Sequence, residues 1–464
     1  MQFLEKFFKL KENKTKVSTE VLAGVTTFVT MVYILAVNPS ILGGAFLNAF
    51  DVEAGAASGG LFTATALMCV IGTLIMSLYA KYPFALAPGM GLNAFFAYVV
   101  VDRVGWYAGL FLLLIQGIMF VALALFKFRE KIFESIPKNL KLAIGVGIGL
   151  FITHIGLQNA GFIVPHPATL VTLGNMHDIG TILFMVGLVV TALLIVKKVR
   201  GGLFIGILAT YALGIIAQLV GLYEAGVDGH SLIPSAIVSM PPSLADVNLI
   251  TNFDRVSFAD VSWFVITTLI LILLIVEALD TVGTLIGVSE KADGMLDENG
   301  KLAGAGRGAG PALLSDAITT GLGALAGTST TTTYIESASG VQAGGRTGLT
   351  SLTTAALFFV AMFFSPIFLT IPAFATAPAL VIVGVYMVGI VTKIDFENDF
   401  SEAVPAFIVM ILMPLTYSIS DGVVFGVIAY VALKVLMGKA KSVSPMMYFL
   451  AAIFLLKVIF TEYY

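Results

Sequence analysis

Glu277 and Asp280 stand three residues apart in the run Leu271-Ile-Leu-Leu-Ile-Val-Glu-Ala-Leu-Asp-Thr-Val-Gly-Thr, so a helix through this run puts both carboxylates on one face. An acidic side chain at mid-bilayer depth costs about 2.5–3.5 kcal/mol on insertion scales and as a rule faces a polar cavity. Two on one face repel each other and lose hydration together, which favours sharing a proton. A carboxylate that trades a proton near neutrality is what proton coupling needs. The alternative is a scaffold pair satisfied by Thr281, Thr284 and the threonines of a later span. A third carboxylate, Glu336, lies in Gly327–Gly345, a stretch of threonines, serines and glycines between two apolar runs, Ala309–Ala326 and Leu349–Phe364. Backbone that is extended or broken at membrane depth persists only where protein or a cavity satisfies it. The composition therefore predicts Ser329–Thr333 as extended and Tyr334–Ala343 as a half-helix, its N–H groups turned toward a ligand. A polar loop dipping toward the membrane is the competing reading.

The elements that position these groups follow from composition. The chain has 464 residues, 58% hydrophobic and 11% charged, with mean hydropathy +1.00. Soluble domains carry about 25% charged residues, so the chain is a polytopic membrane protein. Its single cysteine, Cys69, excludes an internal disulfide. The basic N-terminal run leads into an apolar span too long for a signal peptide, without a cleavage site. Spans are expected at 20–42, 60–80, 84–100, 105–126, 140–157, 178–196, 202–221, 262–289, 308–326, 332–344, 350–366, 375–391, 402–417 and 420–437. A further apolar run, 446–461, either crosses or lies in the interface. With the N-terminus cytoplasmic, every lysine and arginine falls in a cytoplasmic segment except Arg103, Arg255 and Lys457. The outward segments hold Asp51, Glu53, Glu224, Asp228, His230, Asp246, Asp254 and Asp260. His154, His166 and His177 lack metal-ligand spacing, so no metal is expected. Gly304–Gly310 lacks the Lys-Ser/Thr of a phosphate loop, and Ser289–Lys301 lacks calcium-loop spacing; both read as cytoplasmic loop.

The fourteen spans divide into two sets of seven. The third begins Tyr82-Pro-Phe-Ala-Leu-Ala-Pro-Gly-Met-Gly-Leu-Asn-Ala-Phe-Phe and the tenth begins Gly327-Thr-Ser-Thr-Thr-Thr-Thr-Tyr-Ile-Glu. Both are short, both break near their starts, and both are third in their half; an odd number of spans per half makes the repeats inverted. Pro88 and Gly89 suit the break, and Asn93, whose amide both donates and accepts, lies just inside the helix that follows. Phe95, Phe96 and Tyr334 offer rings to stack on a planar ligand, and Thr330 lies at the second break. The half-helix ends would favour an anion or the electron-rich edge of a polar ligand.

The stretches Thr19-Glu-Val-Leu-Ala-Gly-Val-Thr-Thr-Phe, Ala87-Pro-Gly-Met-Gly-Leu-Asn-Ala-Phe-Phe, Glu277-Ala-Leu-Asp-Thr-Val-Gly-Thr, Gly327–Ser337 and Ala343-Gly-Gly-Arg-Thr-Gly-Leu together resemble the AzgA-like purine permeases of the nucleobase–cation symporters. The resemblance runs nearly end to end. It implies an all-α, uracil-permease-like fold of seven-plus-seven inverted repeats. Residues 1–127 and 258–366 would form a core domain, and 128–230 and 367–464 a gate domain. It implies that Asn93, Glu277 and Glu336 bind the purine and that Asp280 serves translocation. It further implies proton-coupled uptake across the cytoplasmic membrane by an elevator-like motion; with Glu277 and Glu336 ionised, guanine and hypoxanthine, which present N1–H donors, are expected to be favoured. An adenine-preferring permease and an anion exchanger on the same architecture are the alternatives. An enzyme would need a nucleophile constellation that the chain lacks. Purine, proton and lipid are the expected partners; no nucleic acid and no cofactor are expected, and the oligomeric state, a homodimer among the options, is left open.

Overall fold

The computed structural model describes residues 2–49, 54–125, 136–223, 231–259, 261–289 and 310–460. The expected loops around Lys127–Lys131, 224–230 and 291–307, with Asp51, Glu53 and Asp260, lie outside the described residues.

The first half runs α1 (Val17–Met31), α2 (Ile34–Ala49), α3 (Ala54–Ile75), β1 (Leu86–Pro88), α4 (Met90–Phe95), α5 (Trp106–Leu125), α6 (Lys138–Asn159), β2 (Ile163–His166), β3 (Leu170–Leu173), α7 (Ile179–Val196) and α8 (Gly202–Leu219). The second runs α9 (Trp263–Ser289), α10 (Gly310–Ala326), β4 (Thr331–Thr333), α11 (Ser337–Gln342), α12 (Gly348–Ala361), α13 (Ala373–Val388), α14 (Phe400–Leu415), α15 (Ile419–Leu436) and α16 (Pro445–Phe460). Among the described residues, nine helices are long and apolar enough to cross a bilayer. The other five expected crossings are the two broken elements at β1–α4 and β4–α11, the short α10 and α14, and α9 with its two acids.

Helix pairs repeat when the halves are exchanged. The fifth and twelfth spans, α6 and α13, pack on each other; α5 on α10 answers α3 on α12; α7 on α13 answers α6 on α14; and α11 on α1 answers α9 on α4. Extra helix α16 lies against α15 and α9.

The two breaks meet. β1 and β4 pair antiparallel, Leu86 opposite Thr333, Ala87 opposite Thr332 and Pro88 opposite Thr331, all six buried. The Tyr334 N–H donates to the Ala85 carbonyl at 3.0 Å and the Gly89 N–H to the Thr330 carbonyl at 3.0 Å, extending the ladder at both ends. Extended backbone inside a bundle must find partners, and each break supplies them to the other. Gly327, at φ +91°, turns the chain out of α10 toward β4, a conformation that favours glycine.

Three boundaries differ from expectation. The first span is not continuous but breaks at Val32–Tyr33, where bonds of three-residue spacing run from Leu35 to Val32 and from Ala36 to Tyr33. The second half-helix starts at Ser337, because Tyr334 is still engaged with Ala85. The loop holding His166 forms the hairpin β2–β3, with Ile163 opposite Leu173.

Candidate functional site

The paired breaks form a floor on which acidic side chains from three other elements converge. On α9, Glu277 is fully buried. Thr320 of α10 donates to its Oε1 at 2.5 Å, and the Gln116 amide of α5 donates to its Oε2. The same Gln116 nitrogen reaches the Leu273 carbonyl at 3.0 Å, so the amide is pinned against the turn that carries Glu277. Asp280, one turn on, accepts from the Thr332 hydroxyl of β4 at 3.2 Å. Asp316 and Glu336 are close enough to Asp280 to act on it electrostatically.

Asp316 is a carboxylate that the sequence reading did not single out. It lies on α10 one turn before Thr320 and is fully buried. It accepts from the Thr333 N–H at 2.8 Å and the Thr333 hydroxyl at 3.1 Å, and Thr281 of α9 donates to its other oxygen. Asp316 and Thr320 thus share a helix face, one fixing the strand and the other fixing Glu277. The alternative scaffold reading gives Thr281 to the α9 acids; in the structure it serves Asp316.

Glu336 stands immediately before α11 and is only partly buried. Tyr33, at the break in the first span, donates its hydroxyl to Glu336 Oε1 at 2.7 Å. Tyr386 of α13 is close enough to sense its charge. α11 is held hard against α1: a Cβ on Gly340 would stand 2.8 Å from the Ala23 carbonyl, so only glycine allows this approach. At six residues α11 is too short for a substantial end dipole. The carboxylate, rather than the helix end, sets the local field.

Asn93 is fully buried on α4, accepts from the Ser329 hydroxyl, and points its amide nitrogen toward the Pro88 carbonyl at 3.4 Å. Thr330 Oγ1 is buried and has no protein partner, while the Thr330 carbonyl serves Gly89. Tyr334 donates its hydroxyl to the Pro88 carbonyl at 2.7 Å, locking its ring over the strand pair. Phe95 and Phe96 are fully buried; Phe96 packs edge-on against Trp106, centroids 5.4 Å apart. The structure therefore gathers Glu277, Asp280, Glu336, Asn93, Thr330 and Tyr334 around the strand pair and sets Phe96 against Trp106. Glu20 is a further buried carboxylate, away from this floor. It caps the start of α12 by accepting from the N–H groups of Arg346, Thr347 and Thr350. Among the described residues no group of three or more His, Cys, Asp or Glu is placed to hold a metal ion.

A model of the Permease family matches residues 18–425. Guanine/hypoxanthine permease PbuG of Bacillus subtilis is 45% identical over 463 residues, covering 99% of this chain and 100% of its own. Adenine permease AdeP of Escherichia coli is 39% identical over 461 residues, covering 99% of this chain and 96% of its own. Among solved structures, the transmembrane domain of a cyanobacterium bicarbonate transporter, BicA, superimposes with a TM-score of 0.61 at 16% identity, covering 88% of this chain and 97% of that one. At that identity the likeness is one of fold, and the fold is the seven-plus-seven inverted repeat with two broken elements at its centre.

Proposed function

Because this chain belongs to the Permease family, whose relatives carry the names of transporters rather than enzymes, we propose that it takes up purine nucleobases, guanine and hypoxanthine before adenine, coupled to protons. The observation that carries the reading is the charge of the site. Its charged side chains among the described residues are all acceptors, Glu277, Asp280, Asp316 and Glu336, and a 6-oxopurine presents N–H donors along its edge. Guanine sets N1–H beside N2–H₂, which one carboxylate can accept as a charge-assisted pair. Neutral adenine offers an acceptor at N1, which an ionised carboxylate repels.

In this reading Glu336 meets the ligand first, Asn93 and the Thr330 hydroxyl complete its polar contacts, and Glu277 lies behind them. Asp280 holds the coupled proton, offsetting one negative charge while the loaded site moves. Residues 1–127 and 258–366 form the moving core and residues 128–230 and 367–464 the gate. The basic N-terminus faces the cytoplasm, and the protein resides in the cell membrane. An anion exchanger has the fold in its favour but would have to place its substrate among carboxylates.

Uptake of labelled hypoxanthine into vesicles, with and without a protonophore, tests the function. Accumulation that collapses with the protonophore is expected. Accumulation indifferent to it removes the proton, and bicarbonate transport without purine transport removes the purine. Competition by unlabelled guanine, hypoxanthine, adenine, xanthine and uracil ranks the substrates.

A further inference from the structure

Tyr33 is fully buried at a helix break that neither proline nor glycine causes; Pro39, inside α2, lies six residues later. The break turns the Tyr33 hydroxyl onto Glu336 Oε1 at 2.7 Å, while Thr30, one turn earlier, reaches the Glu336 carbonyl at 3.5 Å. Tyr33 at the carboxylate and Thr30 at the backbone carbonyl thus hold Glu336 from the α1 side. The titratable groups within electrostatic reach of Glu336 are Tyr33, Tyr334, Tyr386 and Asp280. Of these, Tyr33 is the one that donates a hydrogen bond to it.

An O–H donated to a carboxylate favours its ionised, acceptor-only form; without that donor, a partly buried carboxyl accepts a proton more readily and becomes a donor itself. We propose that Tyr33 determines which purines this transporter accepts: its hydroxyl keeps Glu336 an acceptor, so 6-oxopurines with an N1–H are taken and 6-aminopurines, with an N1 acceptor, are turned away. The proposal rests on the reading that Glu336 meets a purine. Tyr33 acts on the ligand through Glu336 and is a positioning residue for it.

Tyr33→Phe removes one oxygen and keeps the ring. The test is the inhibition constant of adenine and of hypoxanthine for binding to purified protein, measured on wild type, Tyr33→Phe, Glu336→Gln and the double variant, with a melting curve for each. Hypoxanthine should bind wild type more tightly than adenine. In Tyr33→Phe the ratio of the two constants should move toward adenine by about tenfold, the effect of one hydrogen bond to a charged group. In a Glu336→Gln background the same change should leave the ratio where it was, because an amide presents both a donor and an acceptor without help from Tyr33. Should Tyr33→Phe fail to fold, Tyr33→Met, which also lacks the donor, reads the same ratio.

An unchanged ratio in Tyr33→Phe, with both constants rising together, reduces Tyr33 to packing and overturns the proposal. A ratio that shifts equally in the Glu336→Gln background overturns it as well, since the effect then bypasses Glu336. A wild type that binds purine but prefers adenine overturns it without the variants. A wild type that binds no purine overturns the functional reading itself, and that failure is visible before any substitution is made.

Discussion

Glu277 and Glu336 are both carboxylates beside the same strand pair, yet their surroundings differ in kind. Glu277 is sealed: Thr320 occupies one oxygen and Gln116 the other, on helices packed from two sides. Glu336 is partly open, and the one side chain shown donating to it is Tyr33, on one oxygen. A saturated buried carboxylate holds structure together and resists change, whereas one with an oxygen to spare can take a ligand at little cost. Under the proposed function the difference separates two tasks, recognition at Glu336 and connection between helices at Glu277, that charge alone does not separate.

The sharpest way to break that comparison is uptake by Glu336→Gln. Loss of a charge-assisted bond should cost about 10–100-fold in apparent affinity for hypoxanthine, with the protein still inserted and folded. Wild-type affinity in this variant would take Glu336 out of the site.

Stability reverses the ranking. Glu277→Ala removes the charged acceptor of a buried amide and a buried hydroxyl, which keep only the Leu273 and Thr331 carbonyls, a cost of about 1–3 kcal/mol. Glu336→Ala strands the Tyr33 hydroxyl alone and opens to a partly solvated face. The melting temperature of purified protein should fall further for Glu277→Ala than for Glu336→Ala, and equal falls would mean that the two carboxylates are not distinguished in this way.

A smaller effect is expected at the residues that hold Glu277. Gln116→Met and Thr320→Val each remove one donor and should lower uptake by roughly tenfold or less, with Thr320→Val the milder of the two if a water replaces the hydroxyl. Variants as active as wild type would show that Glu277 orients itself.

The smallest effect belongs to a carboxylate at the solvent edge. Asp399 caps α14 through Ser401 and meets Lys434 at 2.9 Å and Lys439 at 3.3 Å. The Ser401 hydroxyl, and then the Lys434 ammonium, hold its carboxyl well below the usual range. A depressed carboxyl contributes stability above its unfolded-state value and loses it only as pH falls through the folded one. Glu402 still meets the buried Lys434 at 3.1 Å when Asp399 is lost, so the melting difference between wild type and Asp399→Asn should be modest and flat between about pH 5 and pH 8. A difference that collapses near pH 6 would place the titration elsewhere.

Charge in an apolar run made Glu277, Asp280 and Glu336 legible in the sequence, because no lipid-facing helix tolerates it. The same signal is present at Asp316, inside the run Ala309–Ala326, where the apolar composition of the run masks a single acid. Helix breaks marked by Pro88, Gly89 and the threonine run were legible for the same compositional reason. The break at Val32–Tyr33 was not, since valine and tyrosine carry no helix-stopping signal and the turn is stabilised by what Tyr33 touches across the bundle. Phe96 shows what proximity in sequence leaves out: it stands near Asn93 in the chain, and its ring meets Trp106 in space, a contact that the sequence does not reveal. The pairing of β1 with β4 lay beyond a single chain read in order, because register between distant segments depends on how the halves dock.

That pairing also dictates an order of assembly. Pro88 and Tyr334 meet across 246 positions of chain, so β1 emerges from the ribosome long before its partner exists. Leu86 bonds the Thr73 hydroxyl of its own half through both its N–H and its carbonyl, but the Ala85 carbonyl and the Gly89 N–H wait for Tyr334 and Thr330, and each such group left in hydrocarbon costs several kcal/mol. The first half alone therefore holds β1 by the Thr73 and Asn93 side chains and is completed by the second. A nascent chain truncated before Thr331–Thr333 lacks the strand that in this structure pairs with β1.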